Sequence, residues 1–217
     1  YLKYGFNHRY HDSVRDALDI IKSGKIGKII YLRGIYGKSI ISPFNKTWRA
    51  KREYAGGGIL LDQGIHIVDL MQLFCDEFVE VKSFVSNSFW KCDVEDNAYA
   101  IMRSKSGAVA TLHSSATQWQ HRFSLEIGLE DGFLELHGIL TGTRSYGEEK
   151  LVIGKRMDSE SLSGADREEI ITYLIDHSWS DEINELADVI VNGGSIQSGS
   201  VEEALNTMKL IYKIYWS

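Results

Sequence analysis

The sequence predicts an α+β fold, an open and mainly antiparallel β-sheet with helices packed on one face. Three observations carry that expectation. Helical periodicity appears near both ends of the chain and over residues 59–75. Between residues 79 and 153 apolar and polar residues alternate, the period of a half-buried strand. Turn residues interrupt that alternation about every 8 to 12 residues, as consecutive hairpins require.

Taken in order, Tyr1 to Asn7 reads as a strand. His11 to Ser23 puts Val14, Ala17, Leu18 and Ile21 on one helical stripe, with Asp12 or Ser13 as N-cap and Gly24 as stop. After Gly27 comes a β-rich run, KIIYLRGIYG. Lys38 to Gly58 contains the only proline, Pro43, and lacks periodicity, so it reads as a long loop of the kind that carries function or moves. Residues 59–75 form the second helix. The strands VEVKSFVSN, NAYAIMR, AVATLHSSATQ, RFSLEIGL and FLELHGI follow, with hairpin turns at Ser104 to Gly107 and Glu130 to Gly132. A further hairpin is expected between Thr141 to Tyr146 and Lys150 to Ile153. Two helices close the chain. Trp179 to Val191 starts from Ser178 or Ser180 and stops at Asn192-Gly193-Gly194, and the last begins at Ser200, which has capping-box spacing to Glu203.

Helices on one face leave the other sheet face to solvent or to a partner. Ala98, Ala100, Ala110, Leu112, Phe123, Leu125, Ile127 and Phe133 are apolar enough that a partner is expected there.

Composition narrows the function. Hydrophobic residues make up 43 % of the 217 and charged residues 25 %, with 24 basic against 30 acidic side chains and a net charge of -6. Without a basic run longer than Lys51-Arg52, nucleic-acid and anionic-membrane partners are disfavoured. Cys75 and Cys92 lie in no metal or disulfide framework, which fits a reducing, cytoplasmic setting. No stretch approaches the roughly 20 apolar residues of a membrane span. The chain opens at Tyr1 and reads as part of something longer.

The segment GGGILLDQGIHIVDL, residues 56–70, is apolar nearly all round, yet on a regular helix Asp62, His66 and Asp69 share one face. On spacing alone the plainer reading is a solvent-facing stripe with an Asp62–His66 ion pair at i, i+4. In the chemical reading, Asp62 stays ionised in the field of the helix N-terminus and favours the imidazolium of His66, which exchanges a proton with a substrate hydroxyl. The glycines then let the backbone approach a ligand. A metal held by Asp62 and His66 would lack a third ligand, so no metal is expected. Asp69 reads as a structural cap or salt-bridge partner. No dinucleotide fingerprint G-x-G-x-x-G, Walker loop or nucleophile elbow occurs.

Several of these pieces together resemble the C-terminal domain of the Gfo/Idh/MocA oxidoreductases, the glucose-fructose oxidoreductase and inositol dehydrogenase family. YGFNHRYHDSVRDALDIIKSGKIGKIIYLRGIYG is similar to the family's first strand, helix and sheet strand. Trp48-Arg49 followed by GGGILLDQGIHIVDL resembles its W-R…G-G-G-x-L-x-D-x-G-x-H-x-x-D signature, and SDEINELADVIVNGG…SVEEALNTMKLIYKIYWS its closing helices.

The resemblance implies a sheet like that of the glyceraldehyde-3-phosphate dehydrogenase C-terminal domain. It also implies an N-terminal Rossmann domain that binds NAD or NADP and carries a Glu-Lys-Pro motif, neither of which these residues contain. The 217 residues are therefore expected to be a substrate-binding and oligomerisation domain, inactive alone. In the implied reaction, hydride passes between a carbon of a sugar, polyol or nucleotide sugar and the nicotinamide, while His66 and a lysine outside this sequence handle the hydroxyl proton. Asp62 would bind a substrate hydroxyl or hold His66, and Asn7, Arg9, Trp48 and Arg49 would line the substrate site. Strand-end packing and a surface loop account for those last four equally well. The family's open sheet implies a homodimer or homotetramer. Some relatives are non-catalytic, so a sugar-binding or scaffolding module is the competing expectation.

Overall fold

The computed structural model of the chain describes residues 1–156 and 168–217. Alternation in the central sequence becomes strands, and over Asn97–Ser104 buried and exposed positions alternate from Ala98 onward. β1 (Ile29–Ser39), β2 (Phe78–Ser86), β3 (Asn97–Ser104), β4 (Val109–Gln118), β5 (Arg122–Leu129), β6 (Gly132–His137), β7 (Glu149–Lys155) and β8 (Glu169–Tyr173) form one sheet in the order β2-β3-β4-β1-β5-β6-β7-β8. Both expected hairpins, β3–β4 and β5–β6, are present. β1 enters between β4 and β5, antiparallel to β5 and parallel to β4. Among the described residues that is the only parallel pairing.

The helices α1 (Asp12–Lys22), α3 (Ile65–Phe74), α4 (Ser178–Asn192) and α5 (Val201–Trp216) lie close to their expected bounds. The Ser200–Glu203 capping box forms, the Glu203 amide donating to Ser200 Oγ at 3.2 Å and the Ser200 amide to Glu203 Oε2 at 2.9 Å. At α1 and α4 the residues before the helix are His11 and His177, whose own side chains do not cap; the Ser13 amide donates instead to Glu149 Oε1 at 3.3 Å and the Ser178 amide to Asp176 Oδ1 at 2.9 Å.

Several expectations are corrected. Tyr1 to Asn7 joins no sheet; Tyr4 bonds to the Gly199 carbonyl, and Asn7–Tyr10 tightens into a 3-10 turn. The loop from 38 to 58 holds two 3-10 turns, Phe44–Lys46 and Trp48–Ala50, and the short helix α2 (Arg52–Ala55). Thr141 to Tyr146 is not a strand. Both edges of β7 are already taken by β6 and β8, and Tyr146 instead turns inward against the Tyr36 ring.

The proposed apolar outer face is also redistributed. Leu32 pairs in register with Ala110 and Ile127, so Ala98, Ala100, Ala110, Leu112, Phe123, Leu125 and Ile127 all sit in the core with Leu70 and Met71 of α3. Of the eight residues expected outside, Phe133 alone has the outer parity. That face mixes exposed Phe84, Tyr99, Ile101 and Ile170 with charged side chains such as Arg33, Glu126 and Arg103.

One buried ion pair ties the leading segment to the helices. Arg9 Nε and Nη2 donate to the two oxygens of Asp69 at 2.7 and 2.6 Å, Thr207 Oγ1 of α5 donates to Asp69 at 3.4 Å, and Arg9 also pairs with Glu203. With Arg9 and Asp69 both nearly inaccessible, removing one partner strands the other charge. Asp69→Ala should therefore lower stability by about 3–5 kcal/mol in urea denaturation. A loss below about 1 kcal/mol, the scale of a surface pair, would show that the tie is not structural.

Candidate active site

The signature helix does not start as a regular α-helix. Leu60–Gly64 forms a π-helical turn that passes into α3. Two close approaches produce it. At Gly58 a Cβ would lie 2.0 Å from the Glu95 carbonyl oxygen, and at Gly64 one would lie 2.6 Å from Ser114 Oγ on β4. Any side chain at either position would push the segment off its neighbours. The Glu95 carboxylate accepts from the amides of Gly58 (2.8 and 2.9 Å) and Leu60 (3.1 Å), so the donors at this helix start are already satisfied. The glycines thus bring the backbone against the protein's own Glu95 and Ser114, not against a ligand.

In a π turn hydrogen bonds span five residues, so side chains four apart no longer stack. The expected Asp62–His66 ion pair is accordingly absent. Asp62, 17 % exposed, accepts from Lys38 Nζ at 2.7 Å and from Arg49 Nε at 2.8 Å. The carboxylate with its two cations leaves one net positive charge in this cluster. Arg49 also lies over the exposed Trp48 ring, 4.6 Å from its centroid.

His66 points into a different environment. Its ring stacks on His8, with centroids 4.2 Å apart and planes 13° from parallel, and its Nδ1 is enclosed with no hydrogen-bond partner. Burial pulls its pKa down to about 4, against the opposing charge of Asp62 and helped by His11. The expected imidazolium is therefore corrected to a neutral imidazole, because desolvation outweighs a carboxylate that two cations already hold.

Behind the stack runs a polar chain. His8 Nδ1 lies 3.1 Å from Asn7 Oδ1 and His8 Nε2 lies 3.1 Å from the Tyr36 hydroxyl. The Tyr36 and Tyr146 rings meet edge to face, and Gln63 Nε2 donates to the Tyr146 hydroxyl at 2.8 Å. Burial, with Asp62 adding to it, pushes the Tyr146 phenol up to about 12. The buried His11 pairs with Glu149 at 2.7 Å. A cavity of about 540 Å³ adjoins Tyr146, lined also by Trp119, His121 and Arg122. A larger groove of about 1150 Å³ runs between β2 and α5 and contains neither Asp62 nor His66.

Of the six residues expected at a site, Asp62 and Arg49 pair directly, Trp48 lies beneath the Arg49 guanidinium, and His66 follows one turn along the same helix. Arg9 and Asn7 join none of these contacts. Arg9 directs its donors to Asp69, Glu203 and Ser198, and Asn7 donates to Ser178 Oγ at 3.3 Å. Lys38, His8, Tyr36, Gln63 and Tyr146 were missed. For Lys38 a signal existed, since it follows Leu32, Gly34 and Tyr36 at two-residue steps on the core side of β1 and so needed a partner. Among the described residues no group of three or more His, Cys, Asp or Glu could hold a metal ion, and no helix is long and apolar enough to cross a membrane.

An open, mainly antiparallel eight-stranded sheet backed by helices defines the fold class, an α+β domain. The chain belongs to the GFO/IDH/MocA C-terminal domain family, whose model matches residues 14–135. It is 28 % identical over 141 residues to the 1,5-anhydro-D-fructose reductase of Ensifer adhaerens, covering 63 % of this chain and 42 % of that protein. Among solved structures it superposes on aldose-aldose oxidoreductase from Caulobacter crescentus complexed with glycerol (TM-score 0.78, 22 % identity, 99 % of this chain and 60 % of that one). Levoglucosan dehydrogenase in complex with NADH and L-sorbose also matches, with TM-score 0.76, 20 % identity, and 97 % and 62 % covered. The chain thus spans about two fifths of the curated relative and three fifths of the structural ones.

Lowered histidine pKa values link the site to stability. The folded value of His66 lies below its ordinary 6.5, so between about pH 6.5 and 4 the unfolded chain binds more protons. His8, pushed down by burial and then by His66 and His11, acts in the same sense. Stability should be intact above about pH 6.5 and fall as pH drops toward 4, with His66 contributing up to about 3 kcal/mol. Denaturation midpoints measured across that range should decline less steeply in His66→Gln. Equal slopes in both proteins would contradict a neutral His66.

Proposed function

We propose that this chain is the substrate side of an NAD(P)-dependent oxidoreductase acting on a CH–OH group of a sugar, polyol or nucleotide sugar. The observation that supports it most directly is the placement of the signature pair. Asp62 lies between Lys38 and Arg49, and His66 lies one turn further on with its pKa pulled down by burial. Such a cluster suits a substrate with several hydroxyls, since Lys38 and Arg49 donate and Asp62 accepts.

The cofactor, NAD or NADP, accepts the hydride when bound. Its pyrophosphate does not fit at the glycine segment, because Glu95 already takes those amides. We assign its binding to a nucleotide domain outside these residues. The relatives named above, a sugar reductase and two sugar oxidoreductases, agree with this substrate class. We further propose a cytoplasmic enzyme that pairs copies of itself through the outer sheet face around Phe84, Tyr99 and Ile101.

The test is turnover of the full gene product with NAD or NADP and a panel of aldoses, polyols and nucleotide sugars, followed by nicotinamide absorbance. His66→Ala and Asp62→Ala should each lower kcat/KM by about 10²–10⁴-fold. Undiminished turnover in His66→Ala would remove His66 from the reaction. Sugar binding that is indifferent to the nucleotide, with no turnover on any substrate, would favour a binding module instead.

A further inference from the structure

We propose that the hollow beside Tyr146 is a subsite for a negatively charged group of the substrate, a carboxylate or a phosphate, with Arg122 as its cation and Trp119 as the stacking face beside it. The proposal rests on the reading of Asp62 as part of a sugar site and selects charged sugars from that class.

Topology builds the wall of this hollow. β1 lies between β4 and β5, so the residues joining those two strands, Trp119, Gln120 and His121, cross over the end of β1. Two strand spacings amount to about 9.6 Å, and the chain from Gln118 to Arg122 reaches at most about 14 Å, which leaves little slack. The end of β1 also pins the crossing. Ser39 Oγ donates to the Trp119 carbonyl at 3.0 Å, the Ser39 amide to His121 Nδ1 at 3.4 Å, and the Ile40 amide to the Gln118 carbonyl at 2.6 Å. A backbone amide only donates, so His121 Nδ1 accepts and the ring hydrogen sits on Nε2. The His121 ring packs against that of Tyr146, centroids 4.9 Å apart. The hollow they enclose, about 540 Å³, has the size of a small-molecule site.

Charge gives the ligand its sign. Among the described residues the walls hold no aspartate or glutamate, in a chain where acids outnumber bases 30 to 24. Arg122, exposed at the first position of β5, joins none of the ion pairs formed by the described residues. The acids of the strands around it are taken. Glu126 pairs with Arg33 and accepts from Tyr31, and Glu135 pairs with His137 and accepts from Ser124. Lys38 adds to the positive field, since its charge, after burial, pushes His121 toward the neutral form. An anion therefore meets a guanidinium with no carboxylate competing for it, and the His121 ring and the side-chain amides of Gln118 and Gln120 are further donors on the same wall. Trp119 is 76 % exposed, so a sugar or base laid on its face gains burial that the free chain lacks. Gln63, the neighbour of Asp62, donates to the Tyr146 hydroxyl at 2.8 Å and so joins the hollow to the signature helix. A substrate held here by its charged group keeps its hydroxyls toward Lys38 and Asp62.

The experiment titrates the ¹⁵N-labelled 217-residue chain with glucose 6-phosphate, UDP-glucose, glucuronate and glucose, and follows the Trp119 indole N–H, assigned by its loss in Trp119→Phe. A saturable shift with the charged sugars and none with glucose is expected. Saturation by the two phosphates alone marks a phosphate site and by glucuronate alone a carboxylate site, and either supports the proposal. Arg122→Gln should weaken the anion roughly 10- to 100-fold, the scale of a hydrogen bond to a charged group, and Arg122→Lys should restore part of the loss. Arg122 is exposed, so both variants should keep the fold, which the remaining amide signals verify. A shift with glucose equal to that with its charged derivatives overturns the proposal. So does the absence of a saturable shift with any probe, or equal anion affinity in Arg122→Gln. No nicotinamide and no turnover enter this measurement. Its failure is therefore separate from failure of the oxidoreductase reading, which turnover of the full gene product decides.

Discussion

The Arg9–Asp69 ion pair is the constraint on which the rest of the arrangement depends. Asp69 sits one turn beyond His66 on α3, and Arg9 is the neighbour of His8. Clamping guanidinium to carboxylate at 2.6 and 2.7 Å therefore delivers His8 onto the face of His66 as a geometric consequence. Thr207 and Glu203 extend the clamp to α5, so three segments far apart in sequence meet at one buried charge pair. A bidentate contact suits that task, because it fixes direction as well as distance.

A second constraint sets the start of the signature helix. Glu95 fills the start of the signature helix and Gly64 lets it press against β4, and together they favour the wide turn at Leu60–Gly64. That turn parts Asp62 from His66. One faces cations from β1 and from the 38–58 loop, the other a stack of neutral rings. Two groups that a regular helix would have paired are thus held in opposite electrostatic settings, charged and neutral.

The groove between β2 and α5 shows why size alone does not locate a site. It is the larger hollow, yet it holds neither residue of the signature. The smaller cavity beside Tyr146 adjoins the polar chain that ends at His66, and its walls include His121, which burial and then Lys38 push toward the neutral form.

Much of the fold was legible in the chain. Alternation, helical stripes and the Ser200–Glu203 box mark their elements directly, since each depends on neighbours a few residues away. The signature likewise named Asp62 and His66, and it led to the family. What lay beyond sequence was everything set by partners distant along the chain. Which side of each strand faced the helices depended on register, so seven of the residues expected outside proved to be core. Arg9 and Asn7 matched a motif but turned to Asp69 and Ser178. Burial pulls the His66 pKa down against the charge of Asp62, and that burial cannot be read from spacing. Sequence by itself determined the elements, the family and the identity of the polar pair; the tertiary structure alone decided what each of the two faces, because burial and partner choice arise only when separate segments pack.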